Sequence, residues 1–445
     1  MNTTAQELKR TLGPITLWGL GVGYVISGMY FGWNLGLPEG GSGGLAIATL
    51  FVTLMYVSFT FSYTELACAI PKAGGAFDYA TRALGKDWGF IGGMAQNIEF
   101  IFAPPAIAFA IGAYVELFFK VPIIPIGSFE LPWVAILAYF IFTGLNIYGV
   151  EAAAKFELLI TIVAVGGLLL FAGTTLPEVT WENLSQNAFP NGYGGIFAAI
   201  PFAIWFYLAI EGVANVAEET INPQRNVLIG FGSAILTLVI LCILTFSSSV
   251  GVDGWETVVY EAGSTNTSDA PLPLAIAKVV GKSHWVFSAI IIIGLFGLVA
   301  SFHGIILAAG RASFEFGRVG YAPAALGKVN PKTQTPANAL LVNMIIGIIA
   351  LLTGKTAEII TIACFGALSL YIISMISLFA LRKKEANLER PFKVPLYPFF
   401  PAIALIIASI ALLAITIYNP MLALIFFLIM GASYLAYHLL VKSKQ

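Results

Sequence analysis

Charge is the scarcest commodity in this chain. Only 10% of its residues are Asp, Glu, Lys or Arg, where a soluble domain carries about 25%, and 58% are hydrophobic. A water-facing surface cannot be assembled from that composition, so the chain is read as integral to a membrane. Neither sign of charge is in excess, the formal net charge being -1, which excludes the basic stripe that nucleic-acid binding needs. Cysteine is almost missing as well. Cys68, Cys242 and Cys364 are odd in number and lie in apolar runs, which suits packing better than a disulfide framework. His284, His303 and His438 sit on separate runs and form no metal-ligand set. The glycines from Gly40 to Gly44 are not followed by Lys-Ser or Lys-Thr, so nucleotide-driven chemistry has no motif to rest on. No nucleophile or metal cluster supports an enzyme, and no cofactor is expected.

What is present is a succession of apolar windows of about 20 residues. They centre near residues 25, 57, 104, 140, 165, 205, 238, 298, 345, 370, 408 and 430 and predict an all-α protein of twelve transmembrane helices. With both termini cytoplasmic, all 22 basic residues fall inside except Lys120, Lys278, Lys282 and Lys355. That asymmetry is the positive-inside pattern, and adding or dropping one helix would scramble it. Lys9-Arg10 ahead of the first window resembles a signal peptide, but no small-residue cleavage site follows, so the window is read as a retained first helix.

Two windows are interrupted. Val25 to Asn34 and Ile204 to Val213 carry glycines and polar groups that break a membrane helix. Lipid tolerates free backbone groups only where protein or a watery cavity covers them, so paired interruptions point to a binding site at mid-depth. If the broken helices open corresponding units, helices 1–5 and 6–10 form two inverted repeats, because five is odd and the second unit enters from the opposite side. The chain then divides into a cytoplasmic N-terminus (1–13), a first repeat (14–176), an external loop (177–193), a second repeat (194–381), a cytoplasmic loop (382–398) and helices 11 and 12 with the C-terminus (399–445). A turn at Asn419-Pro420 joins the last two helices. The stretch 251–284, with Asp253, Glu256, Glu261 and Asp269 among Gly, Ser and Thr, reads as a solvated connector. The basic loop from Pro71 to Asp87 reads as an amphipathic cytoplasmic segment against the inner end of the bundle, although positive-inside anchoring alone accounts for its charge.

Thr64 to Tyr79, Glu211 with Ala217 to Arg225, and Arg311 to Pro323 resemble, in order along nearly the whole chain, the amino acid, polyamine and organocation transporter family. Val25 to Asn34 together with Ile98 to Ala106 look most like its ethanolamine permease branch, with Met29 standing where that branch often has an acidic residue. The resemblance implies that Ile26, Ser27, Gly28 and Met29 form the unwound part of helix 1, while Trp205, Phe206, Leu208 and Glu211 line helix 6. It also places Ala164 where several relatives carry a lysine that replaces a sodium ion.

The residues themselves suit such a site. Gly28 and Gly32 let a ligand approach the main chain, and freed carbonyls at a half-helix C-terminus favour an ammonium; the same glycines also serve close helix packing. Ser27 supplies a hydroxyl partner. Trp205, near mid-span, suits a gate whose ring can face an ammonium. Glu65, Glu99 and Glu211 are the acidic residues expected within spans, where a charge costs roughly 2.5 kcal/mol or more unless paired or hydrated. Glu65, beside the Pro71-Lys72 turn, suits a structural tie to the cytoplasmic loop at least as well as transport chemistry. Glu99 precedes Pro104-Pro105, whose rings disrupt helical hydrogen bonding and are expected to open a cavity in helix 3, and it either attracts an ammonium or pairs with a neighbouring helix; Phe102 joins the expected lining. Glu211, six residues past Trp205, suits proton exchange as the inner gate opens. His303 is a second proton candidate, or simply a satisfied hydrogen-bonding residue, and Ser301 is a sodium candidate.

The sequence thus leads to a secondary active transporter that imports a small amine, ethanolamine, by alternating access across a bacterial-type cytoplasmic membrane. A neutral amino acid on the same fold and an amine-conducting channel are the alternatives. Coupling to H+, to Na+ or by exchange stays open, as does a homo-oligomer.

Overall fold

A computed structural model describes residues 10–441 apart from 73, 120, 123, 127–128, 149–152 and 262. Lys9, Lys120, Lys442, Lys444 and the Gly149-Val150 pair lie outside the described residues. The apolar windows fall on helices, of which the principal ones are α1 (Pro14–Val25), α2 (Leu37–Ala69), α3 (Lys86–Glu116), α4 (Trp133–Tyr148), α5 (Ala153–Thr175), α6 (Ile200–Trp205), α7 (Pro223–Asp253), α8 (Trp285–Arg318), α9 (Ala337–Leu351), α10 (Thr356–Lys384), α11 (Phe399–Tyr418) and α12 (Pro420–Ala436). Among the described residues eight helices are long and apolar enough to cross a membrane, and shorter apolar ones accompany them. Prolines open α1, α7 and α12, where a missing N–H costs nothing because the first turn has no acceptor for it.

The polarity of the bundle is that of a membrane protein. Leu50, Phe51, Phe140, Leu236, Ile243, Ile349, Leu413 and Phe427 are exposed on its outside, more apolar surface than water would tolerate. Glu65, Glu99 and Glu211 are fully buried within it. α10 lies at the centre, packed along α3, with 83% of its apolar window covered; the windows of α11 and α12 are covered to 33% and 22%. The last two helices are therefore peripheral.

The described chain is all-α apart from a small antiparallel hairpin that pairs Pro125–Ile126 with Phe129–Glu130. Three expectations change. The stretch 251–284 is no solvated connector: it forms a turn at Trp255–Val258 and a helix at Pro271–Val280 whose Leu272, Ala275 and Ile276 are buried. Its polar composition concealed an apolar stripe at helical spacing. Pro104 and Pro105 leave α3 continuous, and the cavity beside Pro104 is only about 10 Å³, room for no more than a water. Finally, Glu65, Glu99 and Glu211 are not the whole acidic set within the spans, because Glu157 lies on α5 with 2% exposure. It sits one turn from the start of its apolar window, where a sequence reading assigns acidic groups to the boundary.

Glu65 has the structural role its position suggested. Its carboxylate accepts from Arg382 Nε at 2.7 Å and Nη2 at 2.6 Å and from Val394 N at 2.8 Å, with Arg390 Nε at 3.2 Å. The loop after α10 is thereby tied to the end of α2. Removing one partner of a buried pair strands the others, at a cost of about 3–5 kcal/mol. Glu65→Ala is therefore expected to lower the unfolding temperature of the detergent-solubilised protein sharply, whereas an unchanged melting profile would show the tie to be dispensable.

Candidate functional site

The first interrupted helix leaves regular geometry later than expected. After α1 the chain tightens at Ile26, whose carbonyl accepts from Met29 N at 3.0 Å, and Ser27–Tyr30 still form one helical turn. The break itself is at Phe31, which is extended, and Gly32, with φ of +88°. So Ile26, Ser27, Gly28 and Met29 are not the unwound part; they are its helical rim, all four buried. Only glycine enters the Gly32 conformation without strain, which is why the break settles there. Asn34 braces it: Gly32 N donates to Asn34 Oδ1 at 3.1 Å, and Asn34 Nδ2 donates to Val258 O and Ser268 O at 3.3 and 2.8 Å.

The second break falls where the sequence placed it. α6 stops at Trp205, Phe206 to Leu208 turn, and Ala209 is held in the left-handed region at φ of +75° before a tight helix resumes at Ile210–Glu219. A left-handed alanine is strained, and such strain collects at binding sites.

The two breaks meet. A Cβ on Gly28 would overlap the Trp205 carbonyl, and one on Gly32 would overlap the Trp205 indole. The absent side chains are thus what let the segments touch. Phe31 packs edge-on against Trp205 with centroids 5.4 Å apart, and Trp33 stacks on Phe206 at 5.6 Å. Trp205 is 3% exposed, yet its Nε1 has no hydrogen-bond acceptor. An indole N–H usually finds a partner when buried.

Glu99 on α3 reaches this junction, its Oε1 accepting from Ala209 N at 3.2 Å. Gly366 on α10 backs α3 at Ala95 and Glu99, where any side chain would intrude. Glu211 Oε2 accepts from Tyr371 OH at 3.0 Å, and that hydroxyl meets Tyr56 OH at 3.0 Å. The Glu99 and Glu211 carboxyl groups lie close enough to interact directly, and one oxygen of each has no hydrogen-bond donor. Among the described residues no Lys or Arg bonds to either. Leu208 is buried in the same turn, while Phe102 on α3 is half-buried and the described contacts join Glu99, not Phe102, to the break.

Sequence reasoning missed Asn34 as a brace and Tyr56 and Tyr371 as partners. Tyrosines are common in the apolar windows, and nothing in spacing singles these out. The hydroxyl of Ser27 is engaged, donating to Ser301 Oγ at 2.8 Å, and Ser301 Oγ in turn donates to Tyr24 O. Ser301 therefore ties α8 to α1. Ala164 accepts from Tyr30 OH at 2.7 Å through its carbonyl. His303 lies apart from the breaks, its Nδ1 3.5 Å from Glu157 Oε2.

A second concavity, of about 210 Å³, opens at the end of the bundle that carries Glu116, and Trp133, Glu130 and Asp269 line it with Glu116. Asp269 accepts from Thr356 Oγ1 at 3.0 Å, and desolvation pushes its pKa up to about 6.

Discontinuous helices meeting over buried carboxyls inside a bundle of apolar helices are the architecture of a multi-pass membrane protein. The amino acid permease family matches the chain from residue 12 to residue 436, and the chain belongs to that family. Relatives include, from Bacillus subtilis, the branched-chain amino acid permease BcaP, 26% identical with 90% of this chain and 87% of the relative aligned. The methylthioribose transporter of the same organism is 26% identical over 90% of this chain and 87% of its own. Its serine/threonine exchanger SteT is 25% identical over 91% of both.

Proposed function

We propose that this permease is a secondary active transporter that imports a small amine, ethanolamine, by alternating access. The observation that carries the reading is the Glu99–Glu211 pair, two buried carboxyl groups at the meeting point of the breaks. Like charges so close cannot both ionise cheaply, so the pair retains one proton and one negative charge, the complement of a single ammonium. Within it, Glu99 is the anion. Its Oε1 accepts the Ala209 N–H, a bond that strengthens with negative charge on the carboxyl, whereas the Tyr371 hydroxyl can turn from donor to acceptor and so serves Glu211 in either protonation state. Glu211 then exchanges the proton as the inner side opens. Trp205 closes over the ligand. The acidic mouth around Glu116, Glu130 and Asp269 adds a field that draws cations inward.

In this reading helices α1–α5 and the chain from α6 to α10 are the inverted repeats, the peripheral α11 and α12 are an appendage, and both termini face the cytoplasm of a bacterial-type inner membrane. A neutral amino acid is the second reading, favoured by the names of BcaP and SteT. Thermal-shift measurements separate the two, because a ligand at about 100 times its Kd adds roughly 2.7 kcal/mol. Ethanolamine is expected to stabilise the purified protein more than alanine, serine or arginine does. Stabilisation by a zwitterion alone would pass the site to a neutral amino acid.

A further inference from the structure

We infer that Glu157 and His303 form a second protonation site, separate from the Glu99–Glu211 pair, which holds one coupling proton while the transporter is closed and releases it when α1 moves off α5 and α8. The inference rests on the transport reading above.

The geometry is that of a built site. Glu157 and His303 side chains are 2% and 9% exposed, Oε2 and Nδ1 stand 3.5 Å apart, and apart from each other neither the Glu157 oxygens nor His303 Nδ1 have a hydrogen-bond partner. Room for the carboxyl comes from two glycines on the facing helices. A Cβ on Gly23 of α1 would lie 2.7 Å from both Glu157 Oε1 and Thr161 Oγ1, and one on Gly304 of α8 would lie 3.3 Å from Oε1. The carboxyl is thus walled by α1 and α8, and the α4 side chain of Asn146 fixes the His303 backbone by donating to its carbonyl at 3.3 Å.

Among the described residues, the other ionisable groups leave the pair to balance itself. α1 contributes Tyr24, which packs on Gly304. From α8 comes Arg311, already paired at 3.1 Å with Glu219 of the segment after the second break. On α7, Arg225 is exposed and Cys242 is a buried thiol, and Asp253 pairs at 2.8 Å with Lys278 of the helix Pro271–Val280. With no proton the dyad carries one negative charge, with two it carries one positive charge, and either leaves an unpaired charge in a dry interior. With one proton it is neutral. A closed bundle therefore keeps a single proton, and water arriving when α1 withdraws lets it leave. The same α1 segment links this event to the substrate: Gly23 walls Glu157, Tyr24 O accepts from Ser301 two residues from His303, and Ser27 completes that tie beside Gly28, which abuts Trp205.

The test uses the full chain in proteoliposomes with radiolabelled ethanolamine and, in parallel, radiolabelled alanine. Two rates are read: counterflow at equal pH, and accumulation under an inward proton gradient. Wild type is expected to show both. Glu157→Gln and His303→Gln are each expected to keep counterflow and lose the response to the gradient, since exchange needs no net proton movement. Accumulation at wild-type level in either variant overturns the proposal. So does joint loss of counterflow and accumulation in both variants, which would make the pair structural, and so does wild-type accumulation that ignores the gradient. Absence of wild-type counterflow with either probe overturns the transport reading itself.

Discussion

Glu99→Gln is expected to weaken ethanolamine binding by roughly 30-fold or more, the equivalent of the ~2–5 kcal/mol lost when one partner of a buried charge pair is neutralised. The amide keeps the shape of the side chain and its carbonyl oxygen can still accept from Ala209 N, as Glu99 does at 3.2 Å, so the fold is retained while the negative charge is gone. Isothermal titration across a pH series measures the loss. Glu211→Gln is the companion. Its side chain can still receive the Tyr371 hydroxyl but cannot titrate, so binding is expected to survive while the pH dependence of binding and uptake flattens. A normal affinity in Glu99→Gln would remove the amine reading. A normal pH profile in Glu211→Gln would take proton exchange away from this pair and leave it to Glu157 and His303.

Trp205→Ala is expected to abolish transport and weaken binding. The indole fills the space that Gly32 leaves and meets the edge of Phe31, so its removal opens the closed side of the site and deletes a ring worth about 0.5–2 kcal/mol to a desolvated ammonium. Removing a buried Trp also costs a core about 3–5 kcal/mol, and size-exclusion of the solubilised variant checks that it remains folded. Trp205→Phe separates the two contributions, since it keeps a ring over the site but lacks the unpartnered Nε1. Uptake kinetics in Trp205→Ala that match wild type would reduce the residue to packing.

Much of this protein could be read along the chain. A composition with 10% charge and 58% hydrophobic residues admits only an apolar environment, and the helix windows follow because a backbone without water must satisfy its own hydrogen bonds. The second break was legible because Trp205, Glu211 and Gly212 interrupt an apolar run. The first was legible only as a region. Gly28 and Gly32 are the same residue type four positions apart, and what makes Gly32 the break and Gly28 a contact is the body of Trp205 pressing on both. The tertiary structure alone decided which polar groups share a space. Glu99 and Glu211 are 112 positions apart by number and Glu157 and His303 are 146, and such pairings follow from how helices cross, which local hydropathy does not encode. Glu157 shows the point most plainly. By position it sits near the end of an apolar window, where a carboxylate is ordinary, and only the packing of α1 and α8 around it makes that carboxylate a buried group facing His303.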